Sequence, residues 1–178
     1  PAIGKGSDAS LISTVADGTV VVANAGGVRW QVLRHAVAQL TAHLDEITRI
    51  VRFNAAHRVY NPAWSDEQNA RTFGKCNNPN WHGHNYVLEI TVEGEVEPTT
   101  GFVVNLADVK RIAEREIVDV VDHKNLNLDV PFMAGTIPST ENLVLACWRV
   151  LAPAVAPARL AKLKLWETEN QYVEYDGR

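Results

Sequence analysis

Residues 82–93 read His82-Gly83-His84-Asn85-Tyr86-Val87-Leu88-Glu89-Ile90-Thr91-Val92-Glu93. A strand turns successive side chains to opposite faces. This run therefore puts His82, His84, Tyr86, Leu88, Ile90 and Val92 on one side, with Asn85, Glu89, Thr91 and Glu93 on the other. Its apolar stripe ends in two histidines. The same reading of residues 49–57 collects Val51, Phe53, Ala55 and His57 against Arg52, Asn54 and Ala56. Farther along, Leu163 and Leu165 run on into Glu167. Three core stripes thus finish in His, His-x-His and Glu, and neighbouring strands would bring those tips together at one end of a sheet.

Helical spacing fills the interval between these strands. Leu106, Val109, Ile112, Ile117 and Val120 form a broad apolar face that Asn105 or Asp108 can open. Ser139, after Pro138, is placed to cap a second helix, with Glu141 in the first turn where the helix dipole favours negative charge. Leu143, Cys147 and Leu151 then recur every four residues, and Pro153 is expected to stop the run. Two strands, two helices and two strands predict an α+β domain, with the helices on one face of an antiparallel sheet. The residues between the first two strands are expected to form a long loop. This domain covers residues 47–178.

Residues 1–46 have a different texture, rich in small residues and without recognisable chemistry. They hold a β-branched run, Thr19–Val22, a turn at Gly26-Gly27, and a helical pattern of Val32, Ala36, Leu40 and Leu44. His35 and His43 fall on that pattern and read as solvated surface residues.

The 178 residues are 46% hydrophobic, enough for a sizeable core and too apolar for a disordered chain. The longest apolar run, Leu143–Trp148, is far shorter than the roughly 20 residues that span a bilayer. Residues 19–27 are too short and too weakly apolar for a secretory signal. A net charge of −4 argues against a general binder of nucleic acid or anionic membrane. With two cysteines there is no disulfide framework, so a cytoplasmic location is expected.

His82 and His84 lie two strand rises apart, about 6.6 Å along the backbone, on one face. Their rings can converge on one ion, and His57, at the tip of the neighbouring stripe, is the natural third ligand. Three neutral imidazoles suit Zn²⁺ and leave a fourth position open, as in catalytic rather than structural sites. The alternative is three satisfied histidines at a sheet rim. The two cysteines differ in setting. Cys147, in Leu-Val-Leu-Ala-Cys-Trp, is a core residue, whereas Cys76 sits in the polar stretch Gly74–Asn80, where a thiol has no packing reason to be. Lys75 and a nearby zinc would both favour its thiolate, so Cys76 is a candidate ligand, nucleophile or base. Asp122 and His123 are an adjacent carboxylate and imidazole, suited to a proton relay or to helix-end capping. Glu167 prolongs an apolar stripe and so points inward, where a carboxylate needs a partner. An aminopyrimidine edge with two parallel N–H donors would satisfy it; so would an arginine or backbone amides.

Five segments together carry a family resemblance. Phe53-Asn-Ala-Ala-His57-Arg, Phe73-Gly-Lys-Cys76-Asn-Asn-Pro-Asn-Trp81-His82-Gly-His84-Asn-Tyr86, Val121-Asp122-His123-Lys-Asn-Leu126, Ser139-Thr140-Glu141-Asn142 and Glu167-Thr-Glu-Asn170 closely resemble the 6-pyruvoyl-tetrahydropterin synthase family, in order and with compatible spacings over residues 47–178. The resemblance implies the tunnelling fold (T-fold), with a four-stranded antiparallel sheet and two helices per subunit. Three such sheets close into a barrel, two trimers stack into a homohexamer, and active sites lie at subunit interfaces. It implies conversion of 7,8-dihydroneopterin triphosphate to 6-pyruvoyl-tetrahydropterin on the way to tetrahydrobiopterin, with loss of triphosphate, an internal redox rearrangement and no nicotinamide. Carried over by motif, His57, His82 and His84 would hold zinc, and Cys76 would be the general base. Asp122 and His123 would complete a proton relay, and Glu167 would anchor the pterin ring, with Thr140 and Glu141 lining its pocket. Arg58, Arg71, Lys75 and Lys124 lie near the motifs as cations for the triphosphate.

Two alternatives stand beside this reading. The 6-carboxy-tetrahydropterin synthases of the queuosine pathway resemble it in fold, zinc site and substrate. Their motif typically has three residues between the cysteine and His-Gly-His, whereas five separate Cys76 from His82 here, which favours the pyruvoyl-forming type. Relatives that shorten the side chain to a folate precursor replace the cysteine by glutamate, and Cys76 argues against that. The second alternative, a non-catalytic pterin- or zinc-binding module, would be favoured by loss of Cys76 or Glu167, and both are present. Trp81 departs from the family pattern, which usually has a small residue there.

Overall fold

The alternation of apolar and polar residues from 45 onward produces the longest strands of the molecule. The computed structural model describes residues 11–16, 19–24 and 45–178, and the chain divides into two units, residues 1–43 and 44–178. In the first unit, β1 (Leu11–Ala16) and β2 (Thr19–Asn24) pair antiparallel, so the β-branched run at Thr19–Val22 lies in a strand. The expected turn at Gly26-Gly27, the helix through Val32–Leu44, and His35 and His43 lie outside the described residues.

The second unit is an α+β domain. Its strands are β3 (Asp45–His57), β4 (His82–Gly94), β5 (Lys124–Asn125), β6 (Arg159–Thr168) and β7 (Gln171–Tyr175). They form one sheet in the order β5-β3-β4-β6-β7. The β3–β4, β4–β6 and β6–β7 pairings are antiparallel. The expected four strands are therefore joined by a fifth. β5 runs parallel to β3, setting Lys124 and Asn125 beside Ala55 and Ala56. Two residues carry no readable period, so only the folded chain reveals this strand.

The helices are α1 (Asp66–Phe73), α2 (Leu106–Ala113), α3 (Asp119–Val121) and α4 (Thr140–Ala154), with a π turn at Glu114–Val118 joining α2 to α3. α1 stands where a long loop was expected. Its signal was present: Ser65 accepts from the Gln68 amide while the Gln68 side chain accepts from the Ser65 amide, a capping box. Asn105, rather than Asp108, caps α2 by accepting from the Ala107 amide at 3.0 Å. Ser139 caps α4 as expected, accepting from the Asn142 amide. Pro153 does not stop α4 but lies in its last turn, and the helix runs on to Ala154.

The core lies between one sheet face and the helices. Val51, Phe53, Tyr86, Leu88, Ile90, Leu163 and Leu165 pack with Val109, Ala113, Ile117, Leu143, Val144, Cys147 and Leu151 in a single buried cluster. Along β3 the burial alternates as the pattern requires, with Val51, Phe53, Ala55 and His57 buried and Arg52 and Asn54 exposed. Each fully buried Leu or Ile contributes about 1.5–3 kcal/mol of transfer free energy. Cys147 is wholly buried, as expected, and burial pushes its thiol up to about 12. On the opposite face of the sheet, Ile50 and Tyr172 are nearly half exposed.

Candidate metal centre and active site

Strand register assembles the histidines. His57, the last residue of β3, sits directly opposite His82, the first of β4, and His84 stands opposite Ala55. Their ring centroids are 4.4 Å (His57–His82) and 5.1 Å (His57–His84 and His82–His84) apart. One ring nitrogen from each falls within 4.8 Å of the other two. Gly83, between the two β4 ligands, has a steric reason to be glycine, because a Cβ there would lie 3.0 Å from the Ala55 carbonyl oxygen.

Hydrogen bonding prepares these rings as ligands. His57 Nδ1 donates to the Pro138 carbonyl at 2.7 Å. A carbonyl only accepts, so the proton stays on Nδ1 and the Nε2 lone pair faces the cluster. Burial, with His82 and His84 adding to it, holds His57 below the ordinary imidazole range, and burial does the same for His82. Both effects favour the neutral form that binds metals. Among the described residues, five buried side-chain polar atoms lack a hydrogen-bond partner, and His57 Nε2 and His82 Nδ1 are two of them. Buried polar atoms are normally satisfied. A cation coordinated by the three imidazoles would satisfy His57 Nε2, so the residues fit a metal.

Glu167 joins this group from β6. Its Oε1 accepts from Thr140 Oγ1 at 2.8 Å and lies 3.8 Å from His57 Nε2 and 3.7 Å from His84 Nε2. Glu167, Thr140 and Glu141 line a cavity of about 330 Å³ together with Asn170 and Tyr172. Glu167 also borders a second cavity of about 700 Å³, which His84, Tyr86 and Asp122 share. Tyr86 is buried, stacked on Phe53, with its hydroxyl unpartnered. Burial, then the charges of Glu167 and Cys76, raise that phenol far above its usual value.

Asp122 and His123 converge. His123 Nδ1 lies 2.8 Å from Asp122 Oδ2, and Asp122 Oδ1 accepts from the Asn54 amide at 2.6 Å. The Asn54 amide, then His123, holds the Asp122 carboxyl below the usual carboxylate range. The convergence follows from backbone geometry. His123 takes φ +58° after the helix ends, and its own amide donates to the Asn54 carbonyl. Its imidazole remains largely exposed and shares a cavity of about 520 Å³ with His84, Asn54 and Asn85.

Cys76 is exposed, on a 3₁₀ turn at Gly74–Asn77, and borders none of these three cavities. Two contacts pin its loop to the end of β3. The Val59 amide donates to the Cys76 carbonyl at 2.8 Å, and Arg58 Nε donates to the Asn77 carbonyl and side-chain oxygen.

Comparison with known proteins identifies this arrangement. A sequence profile described as 6-pyruvoyl tetrahydropterin synthase matches residues 46–178. The chain belongs to the 6-pyruvoyl tetrahydropterin synthase family. It is 46% identical over 132 residues to the 6-pyruvoyl tetrahydrobiopterin synthase of Homo sapiens, covering 74% of this chain and 91% of that one. The dihydroneopterin monophosphate aldolase of Pyrococcus furiosus is 31% identical over 127 residues, covering 70% of this chain and 90% of that one. Among solved structures, the 6-pyruvoyl tetrahydropterin synthase of Caenorhabditis elegans superposes with a TM-score of 0.72 at 39% identity, over 76% of this chain and 97% of that one.

Within the family frame, several supporting residues escaped the sequence reading. Pro138, through its carbonyl, sets the tautomer of His57, and no side-chain pattern announces that role. Arg58, read as a cation for the triphosphate, also braces the Cys76 loop and lies over the Tyr60 ring. Lys124 donates to the Asp119 carbonyl. Asn69, 2% exposed, donates to the Asn61, Trp64 and Ser65 carbonyls and accepts from the Asn61 amide, tying α1 to the loop before it. Trp81 has φ +66°, a region that glycine enters freely and bulky residues rarely do.

Proposed function

We propose that this chain is a zinc-dependent lyase that converts 7,8-dihydroneopterin triphosphate to 6-pyruvoyl-tetrahydropterin, eliminating triphosphate with an internal redox rearrangement. One observation carries the reading: in a member of this family, three imidazole nitrogens converge within 4.8 Å beside the Glu167 carboxylate. Zinc held by His57, His82 and His84 would supply a Lewis acid that makes the substrate's side-chain hydroxyls and the neighbouring C–H bonds more acidic.

The chain's own groups do the rest. Cys76, on a loop that Arg58 and Val59 brace, takes protons from the side-chain carbons as its thiolate. His123, oriented by Asp122, holds and returns a proton, and the Asn54 amide keeps Asp122 ionised for that task. Glu167 accepts the two parallel N–H groups of the aminopyrimidine edge, a charge-assisted bidentate contact. Thr140 steadies the carboxylate and Glu141 lines the same cavity. Electrons are conserved overall, since the side chain is oxidised as the ring is reduced, so no nicotinamide is needed.

The reading includes a cytosolic homohexamer of two stacked trimers, in which three sheets close into a barrel. The sheet ends in β5 and β7, each paired on one side within the sheet, and one face carries exposed Ile50 and Tyr172. Closure would pair those edges and cover that face. No helix among the described residues is long and apolar enough to cross a membrane.

The test is mass spectrometry of the products from zinc-loaded protein and 7,8-dihydroneopterin triphosphate without nicotinamide. Free triphosphate with 6-pyruvoyl-tetrahydropterin is the expected result. A 6-carboxy product with acetaldehyde would reassign the chain to the queuosine-type reaction. No turnover would leave a pterin- or zinc-binding module.

A further inference from the structure

Of the motif Ser139-Thr140-Glu141-Asn142, the first three residues cap α4, hold Glu167 and line its cavity. The fourth reaches backwards. Asn142 Nδ2 donates to the Ile137 carbonyl, five residues earlier, at 2.8 Å. The Ser139 amide donates to the same oxygen at 2.9 Å and so closes a three-residue turn centred on Pro138. The proline ring sets φ at roughly −65°, in the range that such a turn needs. The carbonyl that this turn projects is the one that accepts from His57 Nδ1 at 2.7 Å. α1 puts the same helix position to a different use. There Gln68, also third in its helix, accepts from the Ser65 amide and completes a capping box. In α4 the cap amide goes to Ile137, and Asn142 donates to Ile137 rather than accepting from Ser139. Gln68 secures a helix end; Asn142 secures the turn that precedes one.

We propose, on the metal reading above, that Asn142 is a positioning residue of the metal centre: it fixes the Ile137–Ser139 turn, so that the Pro138 carbonyl keeps the ring proton of His57 on Nδ1 and leaves Nε2 free for the ion. The chain of contacts is short. Asn142 holds Ile137, the turn directs the Pro138 carbonyl, and that carbonyl orients His57. Pro138 has no amide hydrogen and no polar side chain, so it cannot anchor the turn itself. The same turn leads into Thr140, whose hydroxyl donates to Glu167 at 2.8 Å. One clamp thus orders a metal ligand and the carboxylate beside it. Partners that orient a ligating histidine contribute to the affinity of a metal site. Here that partner is a backbone carbonyl, and Asn142 gives it a fixed direction.

The experiment reads His57 in the full, metal-free chain by long-range proton–nitrogen NMR of the imidazoles, with its signals assigned by their loss in His57→Gln. Zinc affinity is measured alongside by competition with a chelator. Asn142→Leu removes the donor at similar volume. Asn142→Asp also removes it, but adds a negative charge in the first turn of α4, where the helix dipole favours one. Both variants are expected to lose the pure Nδ1–H pattern of His57 and to bind zinc about 10-fold more weakly, the lower end of the range for groups that support metal ligands. Ser139→Ala provides the contrast. It removes the cap hydroxyl and keeps the Ile137 contacts, so it should lower Tm by about 2–4 °C with tautomer and zinc affinity as in the wild type. Wild-type tautomer, or wild-type zinc affinity, in both Asn142 variants would overturn the proposal. Equal changes in Ser139→Ala would also overturn it, by assigning the effect to helix stability. Absence of zinc uptake by the wild type would sink the metal reading itself, and the tautomer would still decide whether Asn142 positions His57.

Discussion

The sheet carries a shielded carboxylate at each end, and the two are handled in opposite ways. Glu93, near the end of β4, is 8% exposed and paired in register with Arg159, with which it forms an ion pair. Glu167, near the end of β6, faces two imidazoles and a threonine hydroxyl, and none of its described contacts is with a cationic Lys or Arg. Between them, Leu88, Ile90 and Leu163 are completely buried. The contrast separates two uses of a shielded charge. At one end the fold supplies the counter-charge; at the other, on the proposed reading, the partner comes from outside the chain. A carboxylate and three imidazoles without a counter-cation cost stability, and proteins keep such arrangements where ligands bind.

The largest effect that would sharpen this contrast is Cys76→Ala. Turnover should fall by about 10²- to 10⁴-fold, the range for loss of a positioned acid or base. Zinc content, measured by atomic absorption, should stay near one per chain, because Cys76 is exposed and lies outside the histidine cluster. Metal loss would make Cys76 a ligand and enlarge the site end of the sheet. In the shared middle, Leu88→Ala should cost about 2–5 kcal/mol in urea unfolding through cavity formation. A smaller loss would mean that the sheet depends on its ends.

The direct test of the contrast compares the two carboxylates in metal-free protein. Glu93→Gln should lower stability by about 1 kcal/mol, as it leaves Arg159 without its partner. Glu167→Gln should be neutral or stabilising, since it removes a charge that no Lys or Arg balances. Equal destabilisation by both would break the distinction. Tyr86→Phe should be neutral or stabilising by about 1 kcal/mol, because the buried hydroxyl has no partner. The smallest effect concerns acid. Asp122 has its carboxyl held below the usual range, so its contribution is present above the unfolded value of about 3.9 and is lost as pH falls through the lower folded value. Asp122→Asn should therefore lower the neutral region of the stability–pH curve slightly and flatten its acid limb below about pH 4.

The parts of the molecule that were legible beforehand share a physical character. The faces of β3, β4 and β6 followed from period two, because one buried face leaves a strand no freedom of register. The caps at Asn105 and Ser139 followed from local hydrogen bonding. α1 could have been read from Ser65 and Gln68. β5, by contrast, consists of two residues whose strand character comes wholly from Ala55 and Ala56 beside them.

The amino-acid sequence by itself determined which residues meet at the end of the sheet. Stripes ending in His57, in His82 and His84, and in Glu167 are local patterns, and the family motifs name the same residues. Tertiary structure decided their chemical state. Pro138, 81 positions from His57, fixes its tautomer; Thr140, 27 positions from Glu167, holds the carboxylate; and Asn54, 68 positions from Asp122, keeps that acid ionised. Hydrogen bonds act over about 3 Å whatever the separation along the chain, so no local pattern could have revealed them.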